Sequence, residues 1–210
     1  MKASGIHVIG LNVGEPDFNT PENIIKACEK AIEEGKTKYT PVSGIMPLRK
    51  AICDKLKKDN DVNYTPKEIV VSTGAKQALH NALLTICSPG DEVIIPIPCW
   101  VSYVEMVKLA DAIPVLVDTD ENYQLDIAAI EKAITSRTKA VIINTPNNPT
   151  GAVYIENSLR ALGELAVSHN FYVVSDEVYE KLVYDGHKHI CIASLSEDIK
   201  AHSIIVNGFS

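Results

Sequence analysis

"KAVIINTPNNPTGAV", residues 139–153, is the stretch that decides the fold. Its first half, Lys139 to Thr145, is a near-continuous apolar run without polar alternation. That is the pattern of a strand buried on both faces, as in a parallel sheet. In its second half, two prolines, asparagine and glycine turn formers and Thr150 make a stiff, bent loop. Asn148 precedes Pro149, which bars it from helical backbone. Its amide therefore projects from a fixed position at the carboxyl end of a strand, where ligands bind in open α/β sheets. A plain Asn-Pro turn accounts for the same residues equally well.

The same alternation extends in both directions. Strands are expected at 68–73, 92–97, 113–118, 139–145, 171–176 and 202–208. Helical spacing of apolar residues falls between them at 75–87, 101–110, 127–134 and 157–169, with a short helix after Asp176. Strand–helix alternation of this kind predicts a mostly parallel sheet flanked by helices, an α/β fold. Toward the N-terminus, Thr20-Pro21 reads as N-cap and first helical residue, and Gly35 as the helix stop. A second helix starts near Pro47. Thr65 and Glu68 in "TPKE" have capping-box spacing. The polar loop "KTKYTPVSG" (36–44) has no packing reason.

Bulk properties narrow the function. The 210 residues carry a net charge of -7 and no basic cluster, which argues against a nucleic-acid partner. The longest apolar stretch, near Val93–Tyr103, is broken by Pro96 and Pro98 and is too short to span a bilayer. No signal-type apolar segment follows Met1–Gly5. The five cysteines are widely spaced with no C-x-x-C, as expected of reduced thiols. The expectation is a cytoplasmic protein with neither a membrane nor a nucleic-acid partner.

Three further stretches could carry chemistry. In "VVSDEVYE" (173–180), Asp176 ends an apolar strand and Tyr179 lies three residues on, so carboxylate and phenol point to one place. A helix N-cap is the simpler role for such an acid. "STGAKQAL" (72–79) runs from a strand through Gly74 into a helix, whose first-turn N–H groups and dipole suit an anion. Alone it is a weak motif. "PIPCWVSY" (96–103) holds Trp100, the only tryptophan, at a strand-to-helix junction on the same rim. Core packing is the usual role of such a residue; its position favours a stacking platform slightly. His187 and His189 read as solvated surface rather than a metal pair, since no third ligand is evident. Lys55, Lys57, Lys58, Asp59 and Asp61 read as an exposed helix end, and His80 as locally satisfied.

Taken in order and spacing, "GEPDF" (14–18), "KTKY" (36–39), "GAKQAL" (74–79), "PCWVSY" (98–103), "NNPTG" (147–151) and "SDEVYE" (175–180) resemble the class I aminotransferases. The bacterial aspartate aminotransferase branch is the most similar. The resemblance implies fold type I of the enzymes that use pyridoxal 5′-phosphate (PLP): a large domain with a mostly parallel sheet, and a small domain built from both chain ends. On that pattern residues 1–20 belong to the small domain and 21–210 to the first part of the large one. It also implies a homodimer and exchange of an amino group between an amino acid, aspartate-like or aromatic, and a 2-oxo acid. Asp176 then corresponds to the partner of the pyridine nitrogen, and Tyr179 and Asn148 to donors to the ring's phenolic oxygen. Trp100 corresponds to the stacking aromatic, and Gly74, Ala75 and Lys76 to part of the phosphate cradle. Gly14, together with Trp100 and Asn148, falls on the substrate side, and Tyr39 would reach the cofactor phosphate of the partner subunit. Cys99 departs from the aromatic residue common before this tryptophan. The lysine that binds PLP as a Schiff base is expected just after Ser210, so the 210 residues by themselves are not expected to transaminate. Two alternatives stay open: a PLP-dependent C–S lyase, and a non-catalytic α/β module that binds a phosphorylated ligand.

Overall fold

Five short runs rich in Val and Ile become the strands of one sheet, because each must pair its backbone and bury its side chains at once. In the computed structural model, which describes residues 4–9, 14 and 18–209, they are β1 (Glu92–Ile97), β2 (Ile113–Asp118), β3 (Thr138–Asn144), β4 (Tyr172–Asp176) and β5 (Ser203–Val206). Their order is β2-β1-β3-β4-β5, and every pairing is parallel. The sequence expectation of a parallel sheet flanked by helices therefore holds. The chain divides into two compact units, Met1–Thr40 and Pro41–Ser210.

In the second unit the helices are α2 (Met46–Asn60), α3 (Gly74–Ile86), α4 (Ser102–Leu109), α5 (Ile127–Ala133), α6 (Glu156–His169) and α7 (Glu197–Ala201). Alternate strand residues face opposite sides. Ile94, Val141, Ile143 and Val173 pack with Ile130 of α5, Leu159, Leu162 and Ala166 of α6 and Ile199 of α7. Val93, Ile95, Ala140, Ile142 and Val174 pack with Leu79 and Leu83 of α3 and Met106 and Val107 of α4. The central strands are thus buried twice over, which is why they show no polar alternation. The edge strand β2 leaves Ile113 and Leu116 exposed. Among the described residues, no helix is long and apolar enough to cross a membrane.

The first unit contains α1 (Glu22–Glu33). Thr20 is not its N-cap: that position falls on Pro21 and no side chain caps it. Gly35 ends the helix as expected, with φ +70°, while the N–H of Lys36 reaches back to the Ala31 carbonyl.

Two expected elements are absent. Residues 68–73 form no strand. The capping box is real, with the Thr65 N–H and hydroxyl both donating to Glu68 at 2.7 Å, but it closes a 3₁₀ turn over Pro66–Glu68. Val71 then bonds the Ser43 carbonyl rather than a sheet neighbour. Nor does a helix follow Asp176: only i→i+3 turn bonds close there, from Glu180 to Glu177 and from Leu182 to Tyr179. Glu177 and Glu180 are drawn into buried polar contacts, and these override the local helical pattern. One helix is unanticipated, α7, although Ser196 caps it by accepting from Ile199 N at 3.1 Å.

The α6–α7 contact is close enough to test. A Cβ on Gly163 would fall 2.6–2.8 Å from three carbons of the Ile199 side chain, itself buried. Gly163→Ala should therefore destabilise by about 1–3 kcal/mol despite the better helix propensity of alanine. Urea unfolding checks this, and Ile199→Ala in the same chain should make the alanine at 163 far less harmful.

Candidate active site

The carboxyl ends of β1, β3 and β4, with the N-terminus of α3, surround a cavity of about 310 Å³. Each loop contributes for a local reason. Asn144, the last residue of β3, donates from Nδ2 to the Asp176 carbonyl (2.9 Å) and accepts from Asn148 N (2.7 Å). The Thr145 N–H also reaches the Asp176 carbonyl, at 3.2 Å. Asn147 folds the loop, its Oδ1 accepting from the N–H and hydroxyl of Thr150. Asn148 is thereby held at the rim, as the sequence suggested. Its Nδ2 lies 3.5 Å from the Tyr179 hydroxyl, so amide and phenol do converge.

Asp176 is the buried acid of the site, and it accepts from the Tyr103 hydroxyl at 2.7 Å and from Val178 N at 3.2 Å. Burial raises its pKa; the bonds from Tyr103 and Val178 oppose that, and the neighbouring Glu177 reinforces it. The N-cap role is not realised, because no helix follows. Tyr103, on α4, was not singled out in the sequence. Only the fold lays α4 beside β4, although its place in "CWVSY" beside Trp100 was a signal. Burial, then the Asp176 carboxylate, push its hydroxyl far above the ordinary phenol range, so it stays a donor.

Trp100 packs edge-on to Tyr103, with ring centroids 5.4 Å apart and planes at 87°. The Lys76 ammonium sits 4.8 Å from the Trp100 ring centroid, a cation–π contact that orients both. Gly74, Ala75 and Lys76 form the first turn of α3 beside the same cavity. Gly74 has φ +79°, a conformation that suits glycine, and open space where a Cβ would be. Thr73 offers no side-chain cap and the first turn has no acid. Apart from the Gly74 N–H, which bonds the Ser72 carbonyl at 2.9 Å, the helix N-terminus therefore presents its N–H groups and positive dipole end with no acid in its own first turn. Cys99, beside Trp100, has its thiol raised by burial and is no ready nucleophile.

Gly74, Ala75, Lys76, Trp100, Asn148, Asp176 and Tyr179 thus line one cavity, joined by Tyr103, Asn144 and Val178. Gly14 and Tyr39 belong to the first unit, where both are exposed. A larger hollow of about 510 Å³ lies at the amino ends of β1 and β3, around Asp91, Arg137, Lys139 and His169. It is an open surface depression that gathers none of the motifs, and Arg137 is already paired with Glu92.

Three residues expected to be ordinary are not. His189 is not solvated: its side chain is buried, with Nε2 2.9 Å from Glu177 and Nδ1 unpartnered. Lys55 is not merely a surface charge, since it pairs with buried Glu180 at 2.5 Å. His80 is not locally satisfied either, for its Nδ1 is buried without a partner.

The donor set fits PLP. A buried acid can face a ring nitrogen, a phenol and an amide can meet a phenolic oxygen, an indole can stack, and a helix N-terminus can take a phosphate. Comparisons with known proteins give the family. The family model for aminotransferase class I and II matches residues 6–210. An aspartate aminotransferase of Bacillus sp. (strain YM-2) is 50% identical over all of this chain and 54% of its own length. A probable aspartate/prephenate aminotransferase of Thermus aquaticus is 47% identical, over 99% of this chain and 54% of its own. The structure of the aspartate aminotransferase from Thermus thermophilus with maleate superposes with a TM-score of 0.95 at 45% identity, covering 100% of this chain and 54% of that one. The aromatic aminotransferase from Pyrococcus horikoshii OT3 gives 0.93 at 41% identity, covering 100% and 57%. The chain spans about half the length of the curated relatives it matches. With its sheet, its cavity and its family match in agreement, the chain belongs to the class I and II aminotransferases.

Proposed function

We propose that the protein binds PLP in this cavity and serves transfer of an amino group between an amino acid, aspartate-like or aromatic, and a 2-oxo acid. The observation that carries the reading is the convergence of Asp176, Tyr179, Asn148, Trp100 and the first turn of α3 on one cavity at the carboxyl ends of the strands. The relatives named for aspartate, aspartate/prephenate and aromatic substrates support that substrate range. A cytoplasmic homodimer goes with the same reading, with Tyr39 of one copy directed to the phosphate site of the other. So does a division in which residues 1–20 join the small domain and 21–210 the large one.

When bound, PLP supplies a sink for electrons released at the substrate α-carbon. The chain's own groups govern how well it does so. The Asp176 carboxylate holds a proton on the ring nitrogen, and Tyr103 keeps that carboxylate aimed. The Tyr179 hydroxyl and Asn148 amide donate to the phenolic oxygen. Trp100 stacks on the ring and sheds water from it. The first turn of α3, Gly74 to Lys76, takes the phosphate, mainly through the backbone N–H groups of Ala75 and Lys76, and Gly14 offers a backbone contact to the substrate carboxylate.

Binding is read directly, because Trp100 is the sole tryptophan. PLP should quench its fluorescence saturably, and Asp176→Asn should weaken binding roughly 10- to 100-fold, the loss of one charge-assisted hydrogen bond. The same substitution should stabilise the cofactor-free chain at neutral pH. A carboxyl whose folded pKa is raised favours the folded state below its ordinary value of 3.8, and that advantage is lost as pH rises through the folded value. The melting-temperature gain of Asp176→Asn should accordingly appear at pH 7 and shrink in acid.

Transfer itself is tested on a chain extended through the lysine position expected after Ser210. Passage of the amino group from aspartate to 2-oxoglutarate is the expected result. Pyruvate and ammonia release from a Cβ-substituted amino acid would point to the C–S lyase instead. PLP retained without either reaction would point to the binding module.

A further inference from the structure

The segment that carries Asp176 and Tyr179 also joins a largely buried polar cluster that the roles above do not use. The Glu180 carboxylate is its centre. One oxygen accepts from Asn60 Nδ2 at 2.8 Å and from Asn207 Nδ2 at 3.0 Å, while the other pairs with the Lys55 ammonium at 2.5 Å. Lys55 also donates to Asn60 Oδ1 at 2.7 Å, and Asn207 Oδ1 accepts from Gly208 N at 2.7 Å. Three parts of the fold therefore meet on one side chain: the end of α2, the turn after β5, and the segment 176–180. Glu180 is almost wholly buried, and burial alone would disfavour its charge. Its bonds from Asn60 and Lys55 outweigh that and hold its pKa low, so the cluster is ionic at neutral pH.

The same segment carries Asp176 and Tyr179. Past Asp176 it has no helix of its own to hold it, but turn bonds, side-chain anchors and a main-chain bond to β5. Glu177 N donates to the Val206 carbonyl at 2.8 Å, and the Glu177 carboxylate takes bonds from Ser175 (3.0 Å) and His189 (2.9 Å). A metal ion is a poorer account of the cluster, although ligand atoms of Glu177, Glu180 and His189 lie within 4.8 Å of one another. The Lys55 ammonium already occupies the place of the cation on Glu180.

We infer that Glu180 is a positioning residue, whose carboxylate ties the turn after β5 to the segment carrying Asp176 and Tyr179 and so fixes how those two groups face a bound PLP ring. This rests on the reading of the cavity as a PLP site. A carboxylate is needed rather than an amide. In Glu180→Gln, either the new NH₂ faces Lys55, or it faces two asparagine amides whose own oxygens already serve Lys55 and Gly208.

The test uses the 210-residue chain with PLP, reading affinity from Trp100 quenching and ring orientation from the induced circular dichroism of the bound cofactor. Glu180→Gln and Asn207→Ala should each weaken PLP binding about tenfold, the order seen when an outer partner of a ligating group is lost. Both should change the induced band at saturation, and in the double variant their effects should not add. Lys55→Met leaves the Asn207 bond in place, and should lower the melting temperature while leaving the band unchanged. If Glu180→Gln and Asn207→Ala bind PLP within twofold of wild type with the same band, the cluster only stabilises the fold and the inference fails. If the wild-type chain gives no saturable quenching at all, the PLP reading fails and takes the inference with it.

Discussion

The carbonyl of Asp176 is the point on which the site depends. It closes the β3–β4 ladder by accepting from the Thr145 N–H at 3.2 Å and from the Asn144 side chain at 2.9 Å. Both central strands end there, flanked on both faces by packed side chains. Buried main-chain groups must be paired, and here the pairing also fixes direction. The backbone of Asp176 is held there, and its side chain turns into the cavity, where it accepts from the Tyr103 hydroxyl. With Asn144 held, its free Oδ1 fixes Asn148. One backbone group thus sets two of the cavity's polar side chains.

The electrostatics follow from the same burial. A buried carboxylate is costly unless something opposite answers it. Asp176 is answered only in part by Tyr103 and Val178, so it remains a group of raised pKa facing a cavity, the usual mark of a functional acid. Glu180, a few residues on, is answered in full by Lys55, Asn60 and Asn207. Of the three carboxylates on one short segment, Asp176 and Glu180 therefore do different work. The incompletely matched one faces the cavity, and the matched one holds the segment.

The comparison between chain and fold is clearest where periodicity is strong. β1 to β5 lie within a residue or two of their expected bounds, because runs rich in Val and Ile have few other ways to be buried. The cavity motifs were also legible: prolines and glycines constrain the backbone locally, and the order of the motifs matched a known family. Where elements misled, distant partners were responsible. Residues 68–73 have strand composition, but the Thr65–Glu68 box and Ser43 take up their backbone. Residues 177–182 have helical spacing, but two buried glutamates pull them into turns. His189 and Lys55 read as surface residues because nothing nearby in the chain hints at Glu177 or Glu180.

By itself, then, the order of residues determined the alternation of strands and helices, the stiff loop at 144–153, and the set of residue types suited to PLP. Those features depend on spacing of a few residues and on backbone restrictions that act locally. The tertiary structure alone decided that Tyr103 meets Asp176 across 73 positions and that Asn60 meets Glu180 across 120. It decided as well which acid is matched by a cation and which is left to face the cavity. Burial and Coulomb pairing are properties of space, not of sequence distance, and they exist only once the parallel sheet has brought its carboxyl ends to one side.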